Sequence, residues 1–245
     1  MLKINEAVWH DYDQGGYITQ KLETIKKWIP EDVHSILDVG CGNGIICNAL
    51  AQDYDVTGID ISETALKAVS TKKIQCSATD IPLPDGSFDL VFSSEMLEHL
   101  TEAELKQAVA EMKRISTRYI LISVPNREQL SNTMVKCASC RMVYHAYGHL
   151  HSFTTEGLGS QFQEYQVKRS LQFGPLTREF NPVLLWIKQH WGGQYHHPEA
   201  PVLCPGCKSS SFIQVSNPVS KACNFLNKLL SKTKPYWLMV LFEKE

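Results

Sequence analysis

The stretch Leu37-Asp38-Val39-Gly40-Cys41-Gly42-Asn43-Gly44 ends one short apolar run and opens another. The first run, at residues 35–39, predicts a buried parallel strand, and residues 45–51 predict a helix. Glycines between them let a ligand approach the backbone closely, because no Cβ intervenes. A dinucleotide-binding loop, G-x-G-x-x-G, would place its third glycine where this chain has Ile45. The loop therefore predicts a ligand site at a strand end but disfavours a nicotinamide cofactor.

Strand and helix signals alternate through the first half of the chain. Short apolar runs predict further strands at residues 55–59, 73–78, 88–93 and 119–124. Ser62 is expected to cap a helix over residues 63–70, and a capping box at Thr101-Glu102-Ala103-Glu104 is expected to open another. This alternation predicts an α/β fold with a parallel sheet and helices on both faces.

The second half of the chain is less regular. A helix around residues 155–163, a strand at 166–173 and an apolar run at 237–242 are expected to extend the same sheet. Residues 126–150 and 176–217 do not follow the alternation. We therefore predict that these two segments are insertions into the sheet fold.

Composition excludes several classes of protein. The 245 residues include 24 basic and 26 acidic side chains, for a formal net charge of −2, and 43% are hydrophobic, as in a globular protein. A nucleic-acid-binding protein would show a basic stripe, so no nucleic-acid partner is expected. No apolar run approaches the ~18 residues of a membrane span. Residues 1–13 lack the pattern of a signal peptide, which predicts a cytoplasmic protein with no membrane partner.

Two acidic residues stand at the ends of the next predicted strands. Asp60 follows the glycine loop by about 20 residues, where a carboxylate can accept hydrogen bonds from both ribose hydroxyls of a nucleoside. Asp80 ends the third predicted strand, and Pro84-Asp85-Gly86-Ser87-Phe88-Asp89-Leu90-Val91 leads into the fourth. Together with the D-x-G-x-G-x-G of residues 38–44, these motifs resemble those of class I S-adenosylmethionine-dependent methyltransferases over residues 30–125.

The resemblance implies a Rossmann-like sheet of seven strands in the order 3-2-1-4-5-7-6, whose last, antiparallel strand is the run at 237–242. It implies S-adenosylmethionine as cofactor, with Asp60 on the ribose, Asp80 facing the adenine amino group and Ile81 against the adenine ring. The positions that it assigns to the cofactor are Asp38, Gly40, Cys41, Gly42, Gly44, Asp60, Ile61, Asp80, Ile81 and Ser94.

Substrate chemistry is expected just after the fourth strand, at the edge where open α/β sheets bind ligands. Glu95, Glu98 and His99 stand there at i, i+3 and i+4, which predicts one face of a helical turn. The segment resembles the E-M-L-E-H of quinone-biosynthesis O-methyltransferases and a related segment of small-RNA terminal 2′-O-methyltransferases. In those groups the carboxylates and the histidine are linked to a divalent ion that lowers the pKa of the nucleophile.

Two interpretations of this segment stay open. One is a divalent metal site completed by His149, where the family often places a histidine. The other, which we prefer, is a site without metal in which His99 lines the pocket or serves as general base, since an unperturbed histidine pKa of about 6.5 suits neutral pH. His149 can equally have a capping or packing role.

The N-terminal 30 residues are expected to fold as a lid over the cofactor. Asp11, Tyr12 and Tyr17 are expected to precede the first helix, where aromatic side chains can contact the adenosine or exclude water. The same side chains can instead pack that helix onto the sheet.

Four of the eight cysteines form two C-x-x-C pairs, Cys137 with Cys140 and Cys204 with Cys207. Two such knuckles can present four thiolates to one tetrahedral Zn²⁺ ion. Because one pair lies in each insertion, we predict that residues 126–150 and 176–217 meet at a structural zinc. Two redox pairs or four reduced thiols are the alternatives, and His145 is a candidate substitute ligand.

The remaining cysteines and histidines carry no predicted metal. Cys41, Cys47 and Cys76 lie in apolar surroundings that predict core or site-lining roles, and Cys223 stands alone. The histidine-rich stretch at residues 189–198 is interpreted as a loop.

The sequence thus predicts an S-adenosylmethionine-dependent methyltransferase domain over residues 31–245 that methylates a hydroxyl of a small molecule. An RNA 2′-O-methyltransferase with a divalent metal is one alternative. The other is a non-catalytic protein that binds the cofactor and uses the zinc insertion to hold a partner. Fold alone does not fix the acceptor.

Overall fold

Parallel pairing along residues 35–125 builds the centre of the sheet. The computed structural model describes residues 16–198 and 202–245. Its strands, in chain order, are β1 Ser35–Val39, β2 Asp55–Asp60, β3 Lys72–Gln75, β4 Phe88–Ser94, β5 Ser116–Pro125, β6 Met134–Lys136, β7 Val143–His145, β8 Tyr165–Arg178 and β9 Thr233–Lys244. Seven of them form one sheet in the order β3-β2-β1-β4-β5-β9-β8, and β6 pairs with β7 in a separate hairpin.

The predicted topology is confirmed. Strands β1 to β5 pair in parallel, whereas β9 runs antiparallel to both of its neighbours, β5 and β8. When only the strands of the large sheet are counted, the order is 3-2-1-4-5-7-6. The apolar run at residues 237–242 lies within β9, as predicted.

Seven helices occur in the part of the chain that the structure describes. They are α1 Tyr17–Trp28, α2 Ile45–Leu50, α3 Glu63–Leu66, α4 Glu102–Ile115, α5 Thr155–Gln161, α6 Pro182–His190 and α7 Pro218–Leu230. Ser62 caps α3 by accepting a hydrogen bond from the Ala65 N–H, and the predicted capping box opens α4. The predicted helix over residues 63–70 is shorter than expected, because Lys73 Nζ bonds the carbonyls of Leu66 and Val69 at 2.8 Å and closes the turn there.

Alternate residues of the central strands enter two different apolar layers. Ile120, Ile122 and Val124 of β5 pack with α4 residues such as Met112 on one face. Tyr119 and Leu121 point to the other face, toward a layer that includes Ile25 of α1. Burial on both faces explains why these strands appear in the sequence as nearly continuous apolar runs.

The segment at 176–217 is more regular than predicted. Residues 176–178 complete β8, and α6 follows, with the Asn181 side chain accepting hydrogen bonds from the N–H groups of Val183 and Leu184. An asparagine before a proline at the first helical position is a helix-start signal, and it was missed because the prediction relied on the apolar pattern. None of the described helices is both long and apolar enough to cross a membrane.

Candidate active site

The glycine loop turns the chain sharply between β1 and α2. Gly40 and Gly44 both have φ of +78°, and a Cβ would lie 2.6 Å from Met96 Cγ at the first position and 2.8 Å from Val69 Cγ2 at the second. Larger residues would therefore be strained at both positions. The N–H groups of Gly40 and Cys41 donate to the Ile59 carbonyl of β2 at 2.8 and 2.9 Å, which fixes the loop against the neighbouring strand.

Asp60 joins the glycine loop to the start of α3. Its carboxylate accepts hydrogen bonds from the Gly42 N–H at 2.9 Å and the Ser62 N–H at 2.8 Å, one on each oxygen. Each carboxylate oxygen can accept a further hydrogen bond. The side chain is therefore held rigidly at the strand end and retains acceptor capacity for two hydroxyl groups of a ligand.

Asp38 lies beneath the loop and is buried. Burial, followed by the charge of Asp60, raises the pKa of Asp38 to about 7, although the nearby Lys21 opposes the shift. Lys21 is itself buried, and its Nζ donates to Glu95 Oε1 at 3.0 Å. A cation that enters the loop would favour the ionised form of Asp38.

The two residues predicted to contact the adenine, Asp80 and Ile81, differ in their exposure to solvent. Asp80 is exposed, whereas Ile81 has only 3% of its surface accessible and packs in the core layer that includes α4. The Ile81 N–H donates to Glu111 Oε2 at 2.8 Å. Of the two isoleucines predicted to contact the cofactor, Ile61, at 48% exposure, therefore has the apolar surface open to a ligand.

Two further predicted cofactor residues line the ends of β1 and β4. Cys41 is partly buried, and a hydrogen bond with Cys47 followed by burial raises the pKa of its thiol, so it stays protonated. Ser94 has a buried hydroxyl oxygen with no hydrogen-bond partner among the residues that the structure describes. Buried polar groups are normally paired, so Ser94 Oγ is a candidate contact for a ligand.

The predicted helical face of Glu95, Glu98 and His99 does not form. Glu95 adopts a left-handed conformation with φ of +54°, and only Leu97–His99 make a short 3₁₀ turn. The turn separates the two carboxylates: Glu95 pairs with Lys21, whereas Glu98 points into the interior. Lys21 is a site residue that the sequence did not indicate, because nothing local to α1 marks it.

Glu98 is a fully buried acid. Burial, followed by the charge of Glu95, raises the pKa of Glu98 well above its ordinary value. Neither carboxylate oxygen has a hydrogen-bond partner within the described ranges. The backbone carbonyl of Glu98 accepts from the Leu150 N–H at 2.7 Å, which connects this turn to the segment that carries His149.

Three histidines and a second acid meet beside this turn. The ring centroids of His99 and His149 are 4.7 Å apart, and those of His145 and His149 are 4.8 Å apart. Glu128 bonds His149 Nδ1 through one oxygen and lies 3.3 Å from His145 Nε2 through the other. We refer to Glu98, His99, Glu128, His145 and His149 as the histidine cluster.

Charge within the histidine cluster is unevenly distributed. Burial raises the pKa of Glu128, but hydrogen bonds from His145 and His149 outweigh it and bring that pKa down to about 2. Glu128 is therefore ionised at neutral pH. Burial, followed by the proximity of His149, lowers the pKa of His99 to about 4, which keeps His99 neutral. The half-buried ring of His99 thus has a pKa below the ordinary value of about 6.5 on which its predicted role as a base rested.

Glu128 and His145 are functional candidates that the sequence analysis did not place here. Glu128 follows the end of β5 by three residues, at the same edge of the sheet as the glycine loop, and that position was a usable signal. His145 was considered as a zinc ligand, but its ring contacts Glu128 and Thr133.

Ligand atoms come together in two overlapping sets within the histidine cluster. One atom from each of Glu98, His99 and His149 lies within 4.8 Å of the others, and the same holds for Glu128, His145 and His149. Glu95 is in neither set, so the predicted grouping of Glu95 with Glu98 and His99 is not the one that the structure brings together.

The four cysteines of the two insertions meet in space. Their sulfur atoms all lie within 4.8 Å of one another, with Cys137 Sγ 3.5 Å from Cys207 Sγ and Cys140 Sγ 3.5 Å from Cys204 Sγ. Each pair folds as a tight turn, because the Cys137 N–H donates to Met142 and the Cys204 N–H donates to Ser209, both at 2.9 Å. The Cys140 backbone helps to lower the pKa of Cys137 to about 6, which favours a thiolate.

The glycine loop, its carboxylates and the sheet order agree with comparisons to known proteins. Residues 37–118 match a family model described as a methyltransferase domain. A ubiquinone biosynthesis O-methyltransferase of Albidiferax ferrireducens is 25% identical over 65% of this chain and 71% of that protein. These matches indicate a class I S-adenosylmethionine-dependent methyltransferase. The predicted family and enzyme class are thereby confirmed.

Another relative matches a smaller share of this methyltransferase, whereas solved structures match nearly all of it. An ajmaline N-methyltransferase of Rauvolfia serpentina is 37% identical over 34% of this chain and 32% of that protein. Among solved structures, a possible histamine N-methyltransferase of Thermotoga maritima has a TM-score of 0.58 at 15% identity over all of both chains. The PH0226 protein of Pyrococcus horikoshii has a TM-score of 0.59 at 14% identity and covers 96% of this chain and 94% of that one.

We expect Asp60→Ala to weaken S-adenosylmethionine binding by about 30-fold, since about 2 kcal/mol of charge-assisted hydrogen bonding is lost. Titration calorimetry measures this affinity. Asp55→Ala, at the opposite end of the same strand, removes only an exposed ion pair with Lys72 and is the matched control. Equal affinities for Asp60→Ala and the wild type would remove Asp60 from the site.

Asp38 predicts a pH dependence of cofactor affinity. Its pKa of about 7 means that the carboxyl ionises as pH rises through neutrality, and a positively charged cofactor binds the ionised form more tightly. Affinity should therefore fall toward about tenfold per pH unit below pH 7, by linkage to one proton. The Asp38→Asn variant should lose this slope, and a slope that persists in the variant would assign it to another group.

Proposed function

We propose that this methyltransferase transfers the methyl group of S-adenosylmethionine to a hydroxyl of a small molecule. The observation that carries the proposal is His149, whose Nδ1 is held by the ionised Glu128 beside the glycine-loop edge of the sheet. A histidine oriented in this way presents its other ring nitrogen as a base, because the hydrogen bond fixes which nitrogen carries the proton. Methylation of a hydroxyl needs such a base.

The cofactor supplies an activated methyl group on a positively charged sulfur. The glycine loop and Asp60 are proposed to hold the nucleoside through the ribose hydroxyls, with Asp80 and the exposed Ile61 on the adenine. Asp38 and Ser94 are proposed to face the charged amino-acid portion. This arrangement orients the methyl carbon, and such positioning is the main contribution that a protein makes to an in-line displacement.

His149 is proposed as the general base in place of His99. As the acceptor oxygen bonds to the methyl carbon, the carbon–sulfur bond breaks and its electron pair stays on sulfur. The hydroxyl proton moves to His149 Nε2, and the resulting imidazolium is stabilised by Glu128. His99 has a pKa of about 4 and would accept this proton poorly, so we assign it to the pocket wall beside the base.

Relatives favour a small-molecule acceptor but not one type of acceptor atom. Those that match this chain include O-, N- and C-methyltransferases, of which the ubiquinone biosynthesis O-methyltransferases recur. An amine or an activated carbon does not need the same base as a hydroxyl. The Glu128–His149 pair therefore supports oxygen as the acceptor.

An RNA 2′-O-methyltransferase that uses a divalent ion is the second candidate. The ligand atoms of Glu98, His99 and His149 lie close enough to share one ion. Against this candidate, Glu95 is paired with Lys21, and the chain has a net charge of −2 where an RNA-binding protein would carry a basic surface.

The cysteine cluster is proposed to hold one structural Zn²⁺. Zinc–sulfur bonds of about 2.3 Å in a tetrahedral site place the sulfur atoms about 3.8 Å apart, and sulfurs 3.5 Å apart fit that spacing. A site with four thiolates leaves no open position, so its role would be to brace the insertions at 126–150 and 176–217.

Residues 1–30 remain a proposed lid over the cofactor. Of the three candidate side chains, Asp11 and Tyr12 lie outside the described residues, and Tyr17 begins α1.

A zinc ion at the cysteines would also affect the position of the proposed base, His149. The β6–β7 hairpin carries Cys137 and Cys140 in its turn and His145 at its end, and His149 follows four residues later. Holding the turn in place would therefore help to position the histidine cluster.

We expect the purified protein to contain about one tightly held zinc per chain, as a closed tetrahedral thiolate site would. Cys140→Ser should lose zinc and lower the melting temperature, because metal binding contributes directly to folding. Ser139→Ala, in the same turn, should retain the metal. Elemental analysis of protein purified without chelators gives the answer. Absence of zinc, with all four thiols reactive, would reject the site.

The base assignment predicts unequal effects within the histidine cluster. His149→Gln should lower turnover by on the order of 10²-fold, and Glu128→Gln by roughly 10- to 100-fold, with cofactor affinity nearly unchanged. His99→Gln should cost less than either. His151→Gln is the matched control, because its ring bonds the Leu100 carbonyl outside the cluster. A larger loss in His99→Gln than in His149→Gln would return the base role to His99.

The same assays separate the two candidate functions. Turnover should survive removal of loosely bound Mg²⁺ or Mn²⁺ by a chelator that leaves the zinc in place. Activity that is lost on chelation and restored by either ion would instead support the RNA methyltransferase.

A further inference from the structure

Helix α7 turns most of its apolar side chains outward and buries two uncharged polar ones. Its buried side chains are Ser220, Cys223 and Asn227, whereas Phe225 and Leu229 are 65% and 71% exposed. This is the reverse of an ordinary surface helix, whose apolar stripe faces the core. The other exposed apolar residues of the helix are Val219, Leu226 and Leu230.

The polar side of α7 forms hydrogen bonds with the two ends of helix α6. The Asn181 N–H donates to Asn227 Oδ1 at 2.7 Å, and Asn217 Nδ2 donates to the Gly192 carbonyl at 2.8 Å. These bonds join opposite ends of the two helices, which therefore pack antiparallel. Because the polar side of α7 is satisfied in this way, its apolar side is turned outward.

Helix α6 and the residues beside it add to the exposed apolar surface. Trp191 is 70% exposed and Val183 66% exposed, and Trp186 is about half exposed. We call these three residues and the five exposed apolar residues of α7 the α6–α7 face. Soluble monomers rarely leave a large set of aromatic and branched apolar side chains uncovered unless it is an interaction surface.

The segment of the chain that carries the α6–α7 face has a positive net charge. Residues 181–245 contain seven lysines, no arginine and three glutamates, a net charge of +4, so residues 1–180 carry −6. Between residues 200 and 242 there is no acidic residue at all. On α7 itself, Lys221 and Lys228 are exposed. Two copies of this chain that met through these faces would bring lysines against lysines.

A cavity of about 620 Å³ opens beside the C-terminal half of α7. It is lined by Asn132, Arg178, Phe180, Asn224, Asn227 and Lys228. Two cations and three carboxamides, with no carboxylate, form a lining suited to an anion. Arg178 Nη1 bonds the Lys228 carbonyl and Ser231 Oγ, which holds its guanidinium against the helix end.

We propose that the α6–α7 face docks on the surface of an anionic phospholipid bilayer. The apolar side chains enter the interfacial region, the lysines approach the anionic headgroups, and a headgroup phosphate occupies the cavity beside Arg178 and Lys228. Tryptophan and lysine suit such an interface, since each has an apolar body and a polar end. The expectation of no membrane partner rested on the missing membrane span, and a helix that lies on a membrane needs no such length. This inference is independent of the acceptor proposed above.

The test is co-sedimentation of the full chain with phosphatidylcholine vesicles that contain or lack phosphatidylglycerol. Binding should require phosphatidylglycerol, weaken with salt and blue-shift the tryptophan emission. The double variant Phe225→Ser/Leu229→Ser should bind at least tenfold more weakly, and Lys221→Gln/Lys228→Gln should lose the salt dependence. Val167→Ser, at another exposed apolar position on β8, is the matched control and should bind as the wild type does.

Several outcomes would overturn the proposal. One is full binding by the Phe225→Ser/Leu229→Ser variant, and another is no binding of the wild type to anionic vesicles. A wild type that is dimeric by light scattering and becomes monomeric in that variant, without binding vesicles, would show that a second copy covers the face. If inorganic phosphate alone reproduces the fluorescence shift, the cavity is a small-anion site and not part of a membrane surface.

Discussion

Parallel pairing of β1 with β2 and β4 brings the carboxyl ends of three strands to one edge of the sheet. The glycine loop, Asp60 and the Glu95–His99 turn each follow one of these strands, so the register of the sheet sets the distances between them. Both faces of the strands are covered by apolar layers. Polar chemistry can therefore gather only at the edge, where the backbone leaves the sheet and water or a ligand can reach it.

Buried charge at that edge depends on a few pairings. Lys21 lies near Asp38 and pairs with Glu95, and it packs 4.7 Å from the centre of the Trp237 ring. An unpaired buried charge costs several kcal/mol, so acids without a partner tend to stay protonated. Glu98 is in that position, whereas Glu128 is ionised because two histidines bond it. Similar carboxylates thus have pKa values shifted in opposite directions, as an acid–base site requires.

The insertions extend this edge in two directions. The hairpin of β6 and β7 leads from the cysteine cluster to His145 and His149, so a structural ion and the proposed base share one short segment. On the other side, α6 and α7 satisfy each other through carboxamides and leave apolar side chains outside. Apart from residues 176–178, which complete β8, neither insertion contributes to the large sheet, which leaves their surfaces available for recognition.

Local features of the sequence were enough to predict the sheet and the family. Apolar runs, the glycine spacing and the acids at strand ends depend on neighbours in the chain, so they can be read locally. The C-x-x-C spacing likewise predicted that Cys137 and Cys140 meet Cys204 and Cys207. The fold shows that the four sulfur atoms do lie together. The predicted length of α3 failed because the Lys73 side chain, just beyond the helix, bonds the carbonyls of Leu66 and Val69.

Tertiary structure alone decided the protonation and partners of the site. Lys21 reaches Glu95 across 74 residues, and Glu128 reaches His149 across 21, so no local pattern connects them. Burial lowers the pKa of His99 and raises that of Asp38, and burial is a property of the packed molecule. The reversed orientation of α7 has the same origin: its amphipathic pattern marks two faces, but only the contacts with α6 decide which of them is turned outward.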